Sequence, residues 1–103
     1  MGSVPDYPVE EQAARYRTTL VHNREFELAT CQILDEQGIA SITYIFYYAF
    51  ARSVDKLIRH GVSGESLALE VALLITLWTG RGLSLSVLET IRTQVFNIGA
   101  PTP

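Results

Sequence analysis

One punctuation mark recurs three times along the chain: a glycine, an apolar residue and, one or two places on, a serine. It reads Gly38-Ile39-Ala40-Ser41, then Gly61-Val62-Ser63, then Gly82-Leu83-Ser84. A glycine just past a helix takes up the left-handed conformation, and the apolar residue after it folds back on the last turn. A nearby serine can then cap the next helix by accepting a backbone N–H. The three marks therefore cut the chain into helices, read here as 9–37, 42–60, 64–80 and 85–97. The apolar pattern of the first loses phase near His22-Asn23-Arg24, where a break is expected. Ser86 with Glu89 fits a capping box, which leaves the last start open by two residues.

Breakers otherwise sit at the ends. All four prolines fall at positions 5, 8, 101 and 103, and no Asn-Gly or Asp-Gly dipeptide occurs anywhere between. This argues against hairpins and strands. The expected architecture is all-α, about four helices with short loops in an up-down or orthogonal bundle. Residues 1–8 read as a flexible arm, 9–98 as a single helical domain and 99–103 as a flexible tail. At 103 residues, 48% of them hydrophobic, the chain can build a core without disulfides or metals. Cys31 is the only cysteine, so no intrachain disulfide is possible and a reducing, cytoplasmic setting is the default. No secretory signal is recognisable. The apolar runs Ile42–Ala51 and Leu67–Trp78 fall short of the roughly 20 residues that span a bilayer.

Helical phase then sorts the faces. In the last segment Val87, Leu88, Ile91, Val95 and Ile98 form one stripe opposite Glu89, Thr90 and Thr93, as in an ordinary surface helix. The third segment has a wide apolar arc of Leu67, Val71, Leu74, Leu77 and Trp78, with Leu73 and Ile75 at its edges, and reads as a buried core helix. The second segment is different. From Ile42 to Phe50 it is apolar or aromatic nearly all round, and no charge occurs from Gly38 to Ala51. Tyrosine-rich regions of this kind favour interface cores. The segment predicts a homo-oligomer, most simply a two-fold dimer. Tyr44, Tyr47, Tyr48 and Phe50 are the expected contact groups, with Arg52 and Arg59 orienting a partner from the adjoining polar face.

Chemistry has little to build on. Glu27 interrupts the apolar line through Cys31 and Leu34, and Glu70 sits between Leu74 and Leu77 on the face of Trp78. A carboxylate drawn into apolar surroundings can serve as an acid or base, so Glu27, Glu70 and Trp78 mark a second reading, a ligand or enzymatic pocket between helices. Pairing with an arginine explains both glutamates equally well. His22 with Glu25 runs in the reverse of the Glu-x-x-His order found in di-metal bundles. His60 falls where a cation suits a helix C-terminus. Cys31 lacks an identifiable base. No metal site or cofactor is predicted.

A net charge of −3, with seven arginines and one lysine dispersed along the chain, disfavours nucleic acid. A degenerate helix-turn-helix over 77–91 is nevertheless a third reading, with Arg92 as the one cation of its reading helix. The function expected is a small non-catalytic interaction or assembly module, acting as a homo-oligomer or as a subunit of a larger complex.

Overall fold

The computed structural model describes residues 24–99 of the chain. The expected arm over 1–8, the first part of the predicted first helix, His22 and the tail beyond Gly99 lie outside the described residues. Within them the fold is all-α. Helix α1 spans Arg24–Glu36, α2 spans Tyr44–Arg59 after a single 3-10 turn at Ser41–Thr43, and α3 spans Gly64–Thr79. Helix α4 covers Leu85–Thr90 and widens into a π-helical turn over Ile91–Val95.

The glycine marks end helices by one repeated mechanism. Gly38, Gly61 and Gly82 have φ of +70°, +86° and +99°. In each case the next residue donates its N–H to the carbonyl five places back: Ile39 to Leu34 at 3.0 Å, Val62 to Leu57 at 3.0 Å, Leu83 to Trp78 at 3.1 Å. Bonds of this span satisfy carbonyls that a helix end would otherwise orphan. Ile39, Val62 and Leu83 then pack against the core. The serines follow the expectation less well. Ser84 caps α4, its hydroxyl accepting from the Val87 N–H at 3.3 Å. Ser63 holds the N-cap position of α3 without a side-chain bond, and Ser41 opens the 3-10 turn behind Ala40.

Helix α1 packs on α2 and on the α4–π segment, α2 packs on α3, and α3 packs on α4. The fully buried centre combines Leu34 of α1, Phe50 and Val54 of α2, Val71 of α3, and Leu88 and Ile91 of the last segment. Phe26 and Phe96, with ring centroids 5.8 Å apart, close the α1 end. Two sequence readings need revision. The last segment is not one α-helix: Thr90 and Thr93 return their hydroxyls to the carbonyls of Ser86 and Glu89, side-chain bonding of a kind that competes with a regular ladder, and the turn there is π. Nor is α3 buried all round. Only its Leu67, Ala68, Val71 and Ile75 side is inside, because α2 and α4 cover one side of it and nothing described covers the other.

The Tyr47 hydroxyl ties α2 to the α3–α4 turn by accepting the Ser84 N–H at 2.9 Å. Tyr47→Phe leaves that N–H unpaired in a partly buried place and should destabilise the fold by about 1–2 kcal/mol, read from urea unfolding. Thr30 is the opposite case. Its hydroxyl is buried with no hydrogen-bond partner, so the near-isosteric Thr30→Val should leave stability unchanged or raise it in the same assay.

Candidate functional site

The aromatic residues of α2 divide between two environments. Tyr47 and Phe50 are buried in the chain's own core, where they hold the fold together rather than face a partner. Tyr44 and Tyr48 stand along the seam between α1 and α2, ring centroids 6.2 Å apart and nearly perpendicular. The Tyr44 hydroxyl donates to the Asp35 carboxylate. That bond, with partial burial and the Asp35 charge behind it, pushes the phenol up to about 12. Burial raises Tyr48 well above the ordinary phenol range, helped by its hydrogen bond to Cys31 and by the charge of Glu27. The Cys31 thiol lies 3.8 Å from Asp35. This seam is polar and lies at the surface, with Asp35 exposed, and the groups along it bond one another.

The two glutamates and Trp78 do not converge. Glu27 stands beside Tyr48 on the α1–α2 seam. Glu70 is exposed and lines a groove of about 370 Å³ between α2 and α3, together with Lys56, Leu57, His60 and Leu74. Trp78 sits two turns further along α3, its ring 6.4 Å from that of Phe46 and capped by the Arg81 guanidinium at 5.5 Å. Among the described residues no three His, Cys, Asp or Glu side chains group as metal ligands would. Arg59 bridges to Asp55 at 2.8 Å, and Arg52 is half-buried. Together with Ser53, Lys56 and His60 they line a recess of about 460 Å³ on the last turns of α2.

The cation on which a DNA-reading helix would depend is inside the protein. Arg92 is 7% exposed, reaches the Ile98 carbonyl at 3.4 Å and lies 3.8 Å from Glu89. It closes the π turn and is not presented to a phosphate backbone.

What sequence reasoning missed is the outer face of α3. Leu69, Leu73 and Leu77 are 51%, 67% and 46% exposed, at i, i+4 and i+8. Phe46, half exposed at the start of α2, contacts Trp78 near the end of α3, and Ile42 and Ile45 close to it in sequence are also exposed, Ile42 by 82%. The signal was present in the sequence. Leu67, Val71, Leu74 and Trp78 already fill an ordinary core arc, so three more leucines on the far side exceed what one buried stripe requires. Exposed apolar surface gathered on one face is uncommon on proteins that stay alone and marks contact sites.

Compared with known proteins, the chain matches no family model, no curated protein and no solved structure at a significant level.

The Tyr44–Asp35 bond has a pH signature. Because the folded-state value is raised from 10.0 to about 12, the protonated phenol contributes stability that is complete below pH 10 and disappears as pH rises through 12. In an ultraviolet titration of tyrosinate, Asp35→Ala should bring one phenol down from about 12 toward 10. An unchanged titration curve would show that the carboxylate does not hold Tyr44.

Proposed function

We propose that the chain is a small non-catalytic helical module for interaction or assembly, a bundle acting as a homo-oligomer or as a subunit of a larger complex. Its docking surface in this reading is the outer face of α3, continued by Ile42, Ile45 and Phe46 of α2. One observation carries the proposal: the exposed row Leu69, Leu73, Leu77 on a helix whose opposite side already fills the core. Burying a leucine fully is worth roughly 1.5–3 kcal/mol, so covering this row offers a substantial gain. The tyrosines first expected as contact groups support the module from within, through Tyr47 in the core and Tyr44 on the α1–α2 seam. A reducing cytoplasmic setting belongs to the same reading, supported by the unpaired Cys31.

The surface makes a direct prediction. Absolute mass by size exclusion with light scattering should exceed the 11.5 kDa of one chain, and Leu73→Glu should return it to that value. Because Leu73 is mostly exposed, the substitution should change the stability of the single chain by no more than about 0.5 kcal/mol. Wild type and variant both running as single chains across the accessible concentration range would sink self-association and leave only a place in a larger complex of other chains.

A further inference from the structure

We infer that the outer face of α3 is built to pair with a second copy of itself, the two α3 helices antiparallel across a two-fold axis at Leu73. This rests on the reading of that face as the docking surface and adds the partner and its register. The inference comes from the order of residues along one row. At four-residue spacing α3 carries Glu65, Leu69, Leu73 and Leu77, and Arg81, four places on again, follows in the turn just past the helix end at Thr79, so that an acid and a base flank three leucines. All five are exposed.

Such a row is complementary to its own reverse. With Leu73 on the axis, each residue meets the one equally far on the other side. Leu69 then faces Leu77 of the second copy, and Glu65 faces Arg81. A parallel pairing would set Glu65 on Glu65 and Arg81 on Arg81, so the charges select the antiparallel arrangement. The same operation places Glu70 opposite the Thr76 hydroxyl and Ser66 opposite Gly80. Two small residues there let the helix ends approach closely. The helix dipoles oppose each other, with the N-terminus of one α3 beside the C-terminus of the next.

Two features of the structure fit this use of the row. Arg81 already stacks its guanidinium over Trp78 at 5.5 Å, which leaves the N–H groups on its edge available to a carboxylate. Leu73, the residue on the axis, is the most exposed of the three leucines, as the centre of an interface requires. Rows of i±4 residues packed against one another cross at about −50°, and the row here is of that kind.

The test uses the full chain with Cys31→Ser, so that the only thiol is one placed on purpose. A two-fold axis brings a residue next to itself, so Leu73→Cys should form a disulfide-linked dimer under mild oxidation. Leu28→Cys, on the exposed side of α1, should not. Glu65→Arg and Arg81→Glu should each weaken dimerisation roughly tenfold, since each puts like charges into both symmetry-related pairs. The double variant, and an equimolar mixture of the two single variants, should recover wild-type association.

A dimer that Leu73→Glu splits, yet with no Leu73→Cys cross-link or no recovery in the double variant, overturns the antiparallel pairing and leaves the docking surface standing. A wild type that stays a single chain overturns pairing with a second copy in any arrangement. Circular dichroism of each variant separates loss of association from loss of fold.

Discussion

Every helix here must dispose of the carbonyls at its end, and the chain solves that problem the same way three times. A glycine at positive φ turns the backbone so that the following N–H reaches back five residues, and the side chain after the glycine is thereby aimed at the core. Local hydrogen bonding and tertiary packing are thus satisfied by one geometry. Ile39, Val62 and Leu83 belong both to the turns and to the interior. Without the left-handed residue the apolar side chain would point elsewhere, and the next helix would leave in another direction. The order of packing, α1 on α2, α2 on α3 and α3 on α4, follows from these three reversals.

The turns also decide which apolar surfaces are used up. Helix α2 has neighbours on two sides and absorbs Tyr47 and Phe50 into the core, down to the Tyr47 hydroxyl that receives the Ser84 N–H, while Phe46 stays half exposed. Among the described residues helix α3 has neighbours on one side only. Its composition is as apolar as a central helix would need, yet its place is peripheral, so Leu69, Leu73 and Leu77 are left outside. A hydrophobic helix in a peripheral position is the physical basis for the proposal that this chain has a partner.

Much of this was legible in the residues. The spans 42–60, 64–80 and 85–97 follow from the glycine marks, and the structure matches them to within a residue or two at most ends. The inward stripe of Val87, Leu88 and Ile91 was readable from period alone. Periodicity could not say which of two apolar helices would be central, since that depends on how many neighbours each acquires after the chain has turned. Tyr44, Tyr47, Tyr48 and Phe50 look alike on a helical wheel, but Tyr47 and Phe50 face the core and Tyr44 faces Asp35 on another helix. The same limit explains Arg92. Its burial depends on the π turn and on the Ile98 carbonyl six residues later, neither of which has a signature in composition.

The size of the exposed face constrains what kind of assembly it can support. Stable protein interfaces remove roughly 800 Å² from each partner, and a single pair of crossed helices contributes only the residues near the crossing. The leucine row of α3 alone is therefore a small interface. Phe46, in contact with Trp78, and the exposed Ile42 and Ile45 are the apolar side chains of the α2 region that a wider interface would have to reach. An association using α3 only should be weak and concentration-dependent, while one that also engages the start of α2 can be tight. The 3-10 turn at Ser41–Thr43 makes that difference a structural one. It holds Ile42 on the side of α2 away from the core, beside a backbone already fixed by the Thr43 hydroxyl bond to the Ala40 carbonyl at 2.7 Å. The most exposed apolar side chain of the described residues thus stands on a hydrogen-bonded turn. Little further ordering of that backbone is needed when Ile42 is covered, so more of its burial energy is retained as affinity.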